Sequence, residues 1–108
     1  MKVFYRRAAE DDIVRQFRYY LVELDLPKIA VRFKEAVVRT VRLARQRPAA
    51  GARFVLENPR LRGLRSWPVV GFESLRIYYL VNGGAVYIVR VLHGKRDVKG
   101  IMEDADDQ

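Results

Sequence analysis

Apolar residues in the first half of the chain recur at the spacing of one helical face. The first such stripe consists of Ile13, Phe17, Tyr20, Leu21 and Leu24. The steps of four, three, one and three residues between them predict an amphipathic helix. The residues Asp-Leu-Pro at 25–27 predict its end, and Pro27 suits the first turn of a second helix.

The second stripe is longer, and it consists of Ile29, Ala30, Phe33, Val37, Val41 and Ala44. Arginines and lysines lie mostly off this stripe, and Pro48 predicts the end of the helix. Because two helices joined by so short a break usually pair antiparallel, the two stripes predict a helical hairpin. A short strand at residues 2–6 is predicted to precede it.

After residue 59 the pattern changes to one typical of β-strands. Strands are predicted at residues 61–67, 75–81 and 85–92, separated by a loop at 48–59, a connection at 68–73 and a turn at 82–84. The turn sequence Asn-Gly-Gly is a strong hairpin signal. In the hairpin, Leu75, Ile77, Tyr79 and Val81 are predicted to share one face with Val86, Ile88 and Leu92, and Arg90 interrupts that face.

The elements predict one domain over residues 1–108 of the α+β class, in the order β-α-α-β-β-β-α. Asp97 is expected to cap a last short helix that runs to about Met102. Since the helical hairpin must bury its stripe, it is predicted to pack on one face of a mainly antiparallel sheet, in two layers. The pattern leaves open where the first strand joins the sheet.

The charge of the chain indicates the kind of partner it binds, because the chain is strongly basic. It has 21 basic and 13 acidic residues, and four of the acidic ones lie at the end, at Glu103, Asp104, Asp106 and Asp107. Residues 1–102 therefore carry 21 positive against nine negative charges, a formal +12. Such a body is expected to attract an acidic protein segment or nucleic acid, and direct binding of nucleic acid stays open.

Other compositional features exclude several kinds of chemistry. The chain has no cysteine and one histidine, which excludes disulfides and the usual zinc sites, so we expect no metal and no cofactor. No apolar run is long enough for a membrane span, and no signal segment is apparent. We therefore expect a cytoplasmic protein.

Two groups of residues are candidates for chemistry. Arg76 lies in a predicted strand with Tyr78 on the same side, and His93 and Arg96 follow the last strand in the sequence His-Gly-Lys-Arg-Asp. A base, an acid and arginines can cleave RNA without metal, because cations stabilise the charge that develops as the 2′-hydroxyl attacks its phosphate. The structural alternative is that Arg76 and Arg90 pair with carboxylates and that His93 packs in a neutral, hydrogen-bonded state.

Several segments resemble the ParE branch of the ParE/RelE toxin superfamily. They are residues 61–69 (LRGLRSWPV), 71–72 (GF), 75–79 (LRIYY) and 90–97 (RVLHGKRD). The last of these is the most specific, and the order of elements over nearly the whole chain agrees.

The resemblance implies the toxin half of a bacterial type II toxin–antitoxin module, with a helical hairpin against an antiparallel sheet. It implies a partner as well, a ParD-like antitoxin that wraps the toxin with an acidic tail. ParE-type toxins inhibit DNA gyrase, whereas RelE-type toxins cut mRNA on the ribosome.

The residues that distinguish the two branches favour gyrase inhibition. Arg76 and Arg96 match arginines of the RelE pattern. However, the lysine pair that precedes the first arginine in that pattern is absent at residues 66–69, and Met102 occupies the place of its final tyrosine. His93 is common in the ParE branch. The preferred hypothesis is therefore a non-enzymatic gyrase inhibitor, and the alternative is an endoribonuclease that uses Arg76, His93 and Arg96.

The helical hairpin and a sheet edge are the expected binding surfaces for the antitoxin, because a disordered peptide docks readily as a helix in a groove or as an added strand. Arg15 and Tyr19 on the outer side of the first helix, and Arg39 on the second, are the predicted antitoxin contacts.

Overall fold

The computed structural model describes residues 1–104, so that Asp106 and Asp107 of the acidic end lie outside the described residues. The helices and strands are β1 (Lys2–Tyr5), α1 (Arg7–Arg18), α2 (Pro27–Gln46), β2 (Ala52–Arg53), β3 (Arg65–Val69), β4 (Phe72–Asn82), β5 (Ala85–His93) and α3 (Val98–Asp104). A π-helical turn, Tyr19–Glu23, continues α1, and a 3-10 turn, Pro59–Leu61, precedes β3. The predicted α+β class and order are confirmed, with the two-residue β2 added inside the predicted loop.

The five strands form one sheet in the order β1-β5-β4-β3-β2. The first strand, whose place the sequence left open, lies at an edge and runs parallel to β5, with Lys2 opposite Ala85 and Tyr5 opposite Ile88. All other neighbours are antiparallel. The predicted hairpin is also present, because only Gly83 and Gly84 separate β4 from β5 and both have positive φ, which glycine adopts without steric cost.

The helical hairpin covers one face of the sheet, as predicted. Helix α1 packs on β5, and α2 packs on β3 and β4. The core between the two layers contains Ala9, Phe33, Ala36, Val37, Val41, Ala44, Val69, Leu75, Ile77, Tyr79, Val86, Ile88 and Val91. Most of the predicted stripe of α2 is therefore buried where the sequence pattern placed it.

The predicted stripe of the first helix is only partly buried. Ile13, Phe17 and Tyr20 pack against the core, whereas Leu21 and Leu24 are exposed. The cause is the π-helical turn, in which the Leu24 amide donates to the Tyr19 carbonyl, five residues back, at 3.1 Å. Because a π turn is wider than an α turn, the spacing that predicts one continuous face no longer holds at its end.

A β-bulge changes which residues of β5 share a face, so the predicted face of this strand is wrong at its end. Tyr78 pairs with Arg90 and Tyr79 pairs with Ile88, so that Val89 is an extra residue on β5. The extra residue changes the alternation of side chains along the strand. Val91 therefore joins Ile88 on the face that the helices cover, and Leu92, predicted on that face, lies on the other one.

The second face of the sheet is covered as well, which the sequence did not predict. Helix α3 and the segment before β3 bury a smaller cluster of Leu61, Leu64, Tyr78, Leu80, Val89, Leu92, Val98 and Met102. Met102 is fully buried there. Among the described residues, no helix combines the length and the apolar composition that a membrane span requires.

A buried tyrosine fastens the end of α2 to the middle of the sheet. The Tyr79 hydroxyl donates to the Pro48 carbonyl at 2.9 Å and accepts from the Gly51 amide at 3.1 Å. Burial raises the pKa of Tyr79 above its ordinary value, because it disfavours the phenolate. The contact also explains Gly51, since a side chain there would collide with the Tyr79 ring.

We predict that Gly51→Ala lowers the free energy of unfolding by about 1–3 kcal/mol, because the added methyl group overpacks this site. Urea denaturation followed by circular dichroism measures the change. Ala50→Gly, at the exposed neighbouring position, is the comparison variant and should have the smaller effect. Unchanged stability of Gly51→Ala would contradict the prediction.

Candidate functional site

A buried carboxylate joins the first helix to the last strand. Asp12 of α1, 4% exposed, accepts hydrogen bonds from Arg90 Nε at 2.8 Å and from Arg90 Nη2 at 2.9 Å. It also accepts from the Val91 amide at 2.9 Å and from the exposed Arg15 at 3.3 Å. A bidentate arginine–carboxylate pair with a further backbone donor fixes both partners in one orientation.

The bulge also changes the predicted place of Arg90, which stands opposite Tyr78 of the second cluster and not on the face of Ile88 and Val91. Its guanidinium still reaches Asp12 on α1. Hydrogen bonding to Asp12 raises the pKa of the Arg90 guanidinium above its ordinary value, although burial acts in the opposite direction. Arg90 therefore stays charged throughout the physiological range. The interaction confirms the structural alternative for Arg90. For Arg76 that alternative is wrong, because its Nε donates to the Ser66 hydroxyl and not to a carboxylate.

A narrow cleft lies beside this ion pair, between α1 and the end of β5. Its lining includes Arg15, Gln16, His93 and Arg96. His93 stands opposite Leu75 in the sheet, and Leu75 belongs to the core beneath the helices. The cleft therefore brings His93 and Arg96 together on the helix-covered side.

Arg76 lies on the other side of the sheet. It stands opposite Leu92, which belongs to the cluster beneath α3, and residues opposite each other in a ladder share a face. Its Nε donates to Ser66 Oγ at 2.9 Å. The Arg76 side chain nevertheless lies beside the segment that contains the other two candidates, because a methyl group at Gly94 would be 3.2 Å from Arg76 Cδ. The three residues of the nuclease hypothesis therefore lie near the same end of β5, with Arg76 and His93 on opposite faces of the sheet.

The outer side of the first helix carries an apolar groove with charged borders. Val14, Tyr19 and Val22 line it together with Asp11, Arg15, Arg18 and Glu23. Val22 is 64% exposed and Tyr19 is 47% exposed. The π-helical turn contributes to this exposure, because it turns apolar residues away from the core. Arg15 and Tyr19, two predicted antitoxin contacts, share this groove.

The third predicted contact occupies a separate depression. Arg39 lines it with Lys34, Glu35, Val38 and Arg42 on the outer side of α2. Val38 in this depression is half exposed. The outer surface of the helical hairpin thus offers two places where an apolar side chain is bordered by arginines.

Sequence reasoning missed Asp12 as a structural centre. In the sequence, Asp12 is only the last of three consecutive acidic residues, Glu10, Asp11 and Asp12, near the start of the first helix, where each of them suits the helix dipole. The one signal was its place in the pattern, one residue before the buried stripe begins at Ile13. Among residues 1–104, no group of three or more His, Asp or Glu side chains is placed to hold a metal ion.

Comparisons with known proteins identify one family by sequence and a similar fold by structure. The sequence profile described as ParE toxin of type II toxin-antitoxin system, parDE, matches residues 3–98. A solved structure of the chromosomal ParDE TA system from P. aeruginosa is similar in fold, with a TM-score of 0.66 and 24% sequence identity. The alignment covers 86% of this chain and 95% of that chain. No protein with a curated description matches the sequence.

We predict that Asp12→Ala destabilises the protein by about 3 kcal/mol, because it leaves the largely buried guanidinium of Arg90 without its partner. The double variant Asp12→Leu/Arg90→Met should recover part of this loss, since it removes both charges. Urea denaturation of the two proteins and of Asp11→Ala, at the exposed neighbouring carboxylate, measures the effect. Equal stability of Asp12→Ala and Asp11→Ala would contradict the prediction.

Proposed function

The chain belongs to the ParE toxin family of type II toxin–antitoxin systems, and from this we propose that it inhibits DNA gyrase and is neutralised by a ParD-like antitoxin. The family match over residues 3–98 carries the proposal. The gyrase target is what the resemblance to the ParE branch implies, and inhibition by protein contacts needs no catalytic group. We propose that the toxin acts in the cytoplasm.

The outer surface of the helical hairpin is the proposed binding site of the antitoxin. An amphipathic helix of the antitoxin places apolar side chains against Val14 and Val22, and Tyr19 is the aromatic anchor. Acidic side chains of the same segment then meet Arg15 on α1 and Arg39 on α2. The formal charge of +8 on the chain favours such a partner.

The alternative function is ribosome-dependent mRNA cleavage by Arg76, His93 and Arg96. Such a site needs its groups within reach of one phosphate. Arg76 and His93 lie on opposite faces of the sheet, although the Arg76 side chain packs beside Gly94, the residue after His93, and its Nε is bonded to Ser66. The absence of the lysine pair at residues 66–69 and the presence of Met102 in place of the final tyrosine favour the binding function over the nuclease.

We expect the purified toxin to abolish plasmid supercoiling by gyrase or to cause cleaved DNA to accumulate in the reaction. Addition of the antitoxin should reverse either effect. The measurement is an ATP-dependent supercoiling assay with and without antitoxin. Arg76→Ala should inhibit as well as the wild-type protein, because no catalytic role is required of it. Unaffected supercoiling would remove gyrase as the target, and mRNA cleavage on ribosomes would be measured next.

We further expect Tyr19→Ala to weaken antitoxin binding by about 2 kcal/mol, roughly thirtyfold, because it removes the aromatic anchor of the groove. Arg15→Ala and Arg39→Ala should each have smaller effects, since border charges contribute less. Isothermal titration calorimetry measures the affinities. The control is Arg45→Ala, an exposed arginine of α2 outside both depressions. If the triple variant at 15, 19 and 39 binds as tightly as this control, the antitoxin lies elsewhere.

A further inference from the structure

A second exposed groove follows the edge of the sheet that lies farthest from α1. It is lined by Arg53, Phe54, Val55, Leu56, Arg62, Gly63, Leu64 and Arg65. The groove begins at β2, the last strand of the sheet on this side. It is separate from both depressions on the helical hairpin.

The backbone along this edge presents unpaired hydrogen-bonding groups. Arg53 stands opposite Arg65, and the next amide, Phe54 N, donates inward to the Leu64 carbonyl at 2.9 Å. In an antiparallel ladder, the residues on either side of an inward-bonded residue direct their own N–H and C=O groups outward. Arg53 and Val55 therefore present these groups to an incoming strand.

This edge carries exposed apolar surface, and packing from beneath holds its backbone in place. Val55 is 85% exposed, the most exposed large apolar residue among those described. Its neighbour Phe54 is held from beneath by Tyr78, with ring centroids 5.5 Å apart and the planes nearly perpendicular. An exposed strand edge with an apolar side chain is a natural template for strand addition.

The charges of the groove select the partner. Arg53 and Arg62 form no side-chain hydrogen bond or ion pair among the described residues, and Arg65 donates only to the Gly51 carbonyl. A second copy of this chain would place these arginines against one another, which costs free energy. An acidic strand would instead pair with them.

We propose that the β2 edge, from Arg53 to Leu56, docks an acidic, extended segment of the protein that the toxin attacks. The identity of that target rests on the proposed function. The antitoxin, for which a sheet edge is also expected, is the less suitable occupant of this edge. Its proposed groove lies on α1, which packs on β5 beside the β1 edge, whereas β2 is the opposite edge of the sheet. Nucleic acid would match the arginines but leave Val55 and the outward backbone groups without partners.

Fluorescence anisotropy with a labelled short peptide of alternating glutamate and valine tests the edge directly. Free toxin and the toxin–antitoxin complex should both bind this probe, and the same peptide with lysine in place of glutamate should not bind. Val55→Pro, which removes the outward amide but no internal hydrogen bond, and Arg62→Glu should each weaken binding at least about tenfold. Arg45→Glu on α2 is the matched charge reversal and should bind the probe nearly as well as the wild-type protein.

Three results would overturn the proposal. The first is that the free toxin does not bind the probe. The second is that the toxin–antitoxin complex does not bind it, which would assign the edge to the antitoxin. The third is that the edge binds a short DNA duplex in place of the peptide. The supercoiling assay separates this proposal from the proposed function. If wild-type toxin and Val55→Pro inhibit gyrase equally, the edge does not bind the target. If wild-type toxin leaves gyrase unaffected but binds the probe, the proposed gyrase function is wrong and the strand-docking edge remains supported.

Discussion

The ion pair between Asp12 and Arg90 determines where the first helix lies on the sheet. It joins residues 78 positions apart in the sequence, and the Val91 amide bonds to the same carboxylate. Because both charges are largely removed from water, neither is stable there without the other. The position of α1, the groove on its outer side and the cleft beside His93 all depend on this contact.

The sheet divides the surface of the toxin into separate regions. The helical hairpin covers one face, and α3 with the segment before β3 covers the other. The outer side of α1 and the edge at β2 therefore face different directions. A small domain with this arrangement can contact two partners at once, without any one side chain serving both.

Elements whose buried residues follow a regular period were predictable from the sequence. Local irregularities that break the period were not. The stripe through Phe33, Val37 and Val41 predicted the buried face of α2, because each is set by helical spacing alone. The extra residue at Val89 reversed the expected side of Leu92, since no pattern signals a bulge. Asp12 was missed for a related reason, because its partner is remote in sequence. The surface residues Arg15 and Tyr19 were predictable as exposed, but the groove they share depends on the π-helical turn.

The parallel pairing of β1 with β5 has a consequence for folding. The first strand pairs with residues 85–88, so it has no neighbour in the sheet until nearly the whole chain is present. Such pairing between distant segments slows folding, because a long loop must close first. Until then the apolar stripe of α1 lacks the strand on which it packs. During synthesis this toxin therefore passes through a stage in which its helices have formed in part but are not yet positioned on the sheet. A partner that binds at this stage contacts a surface different from that of the folded protein.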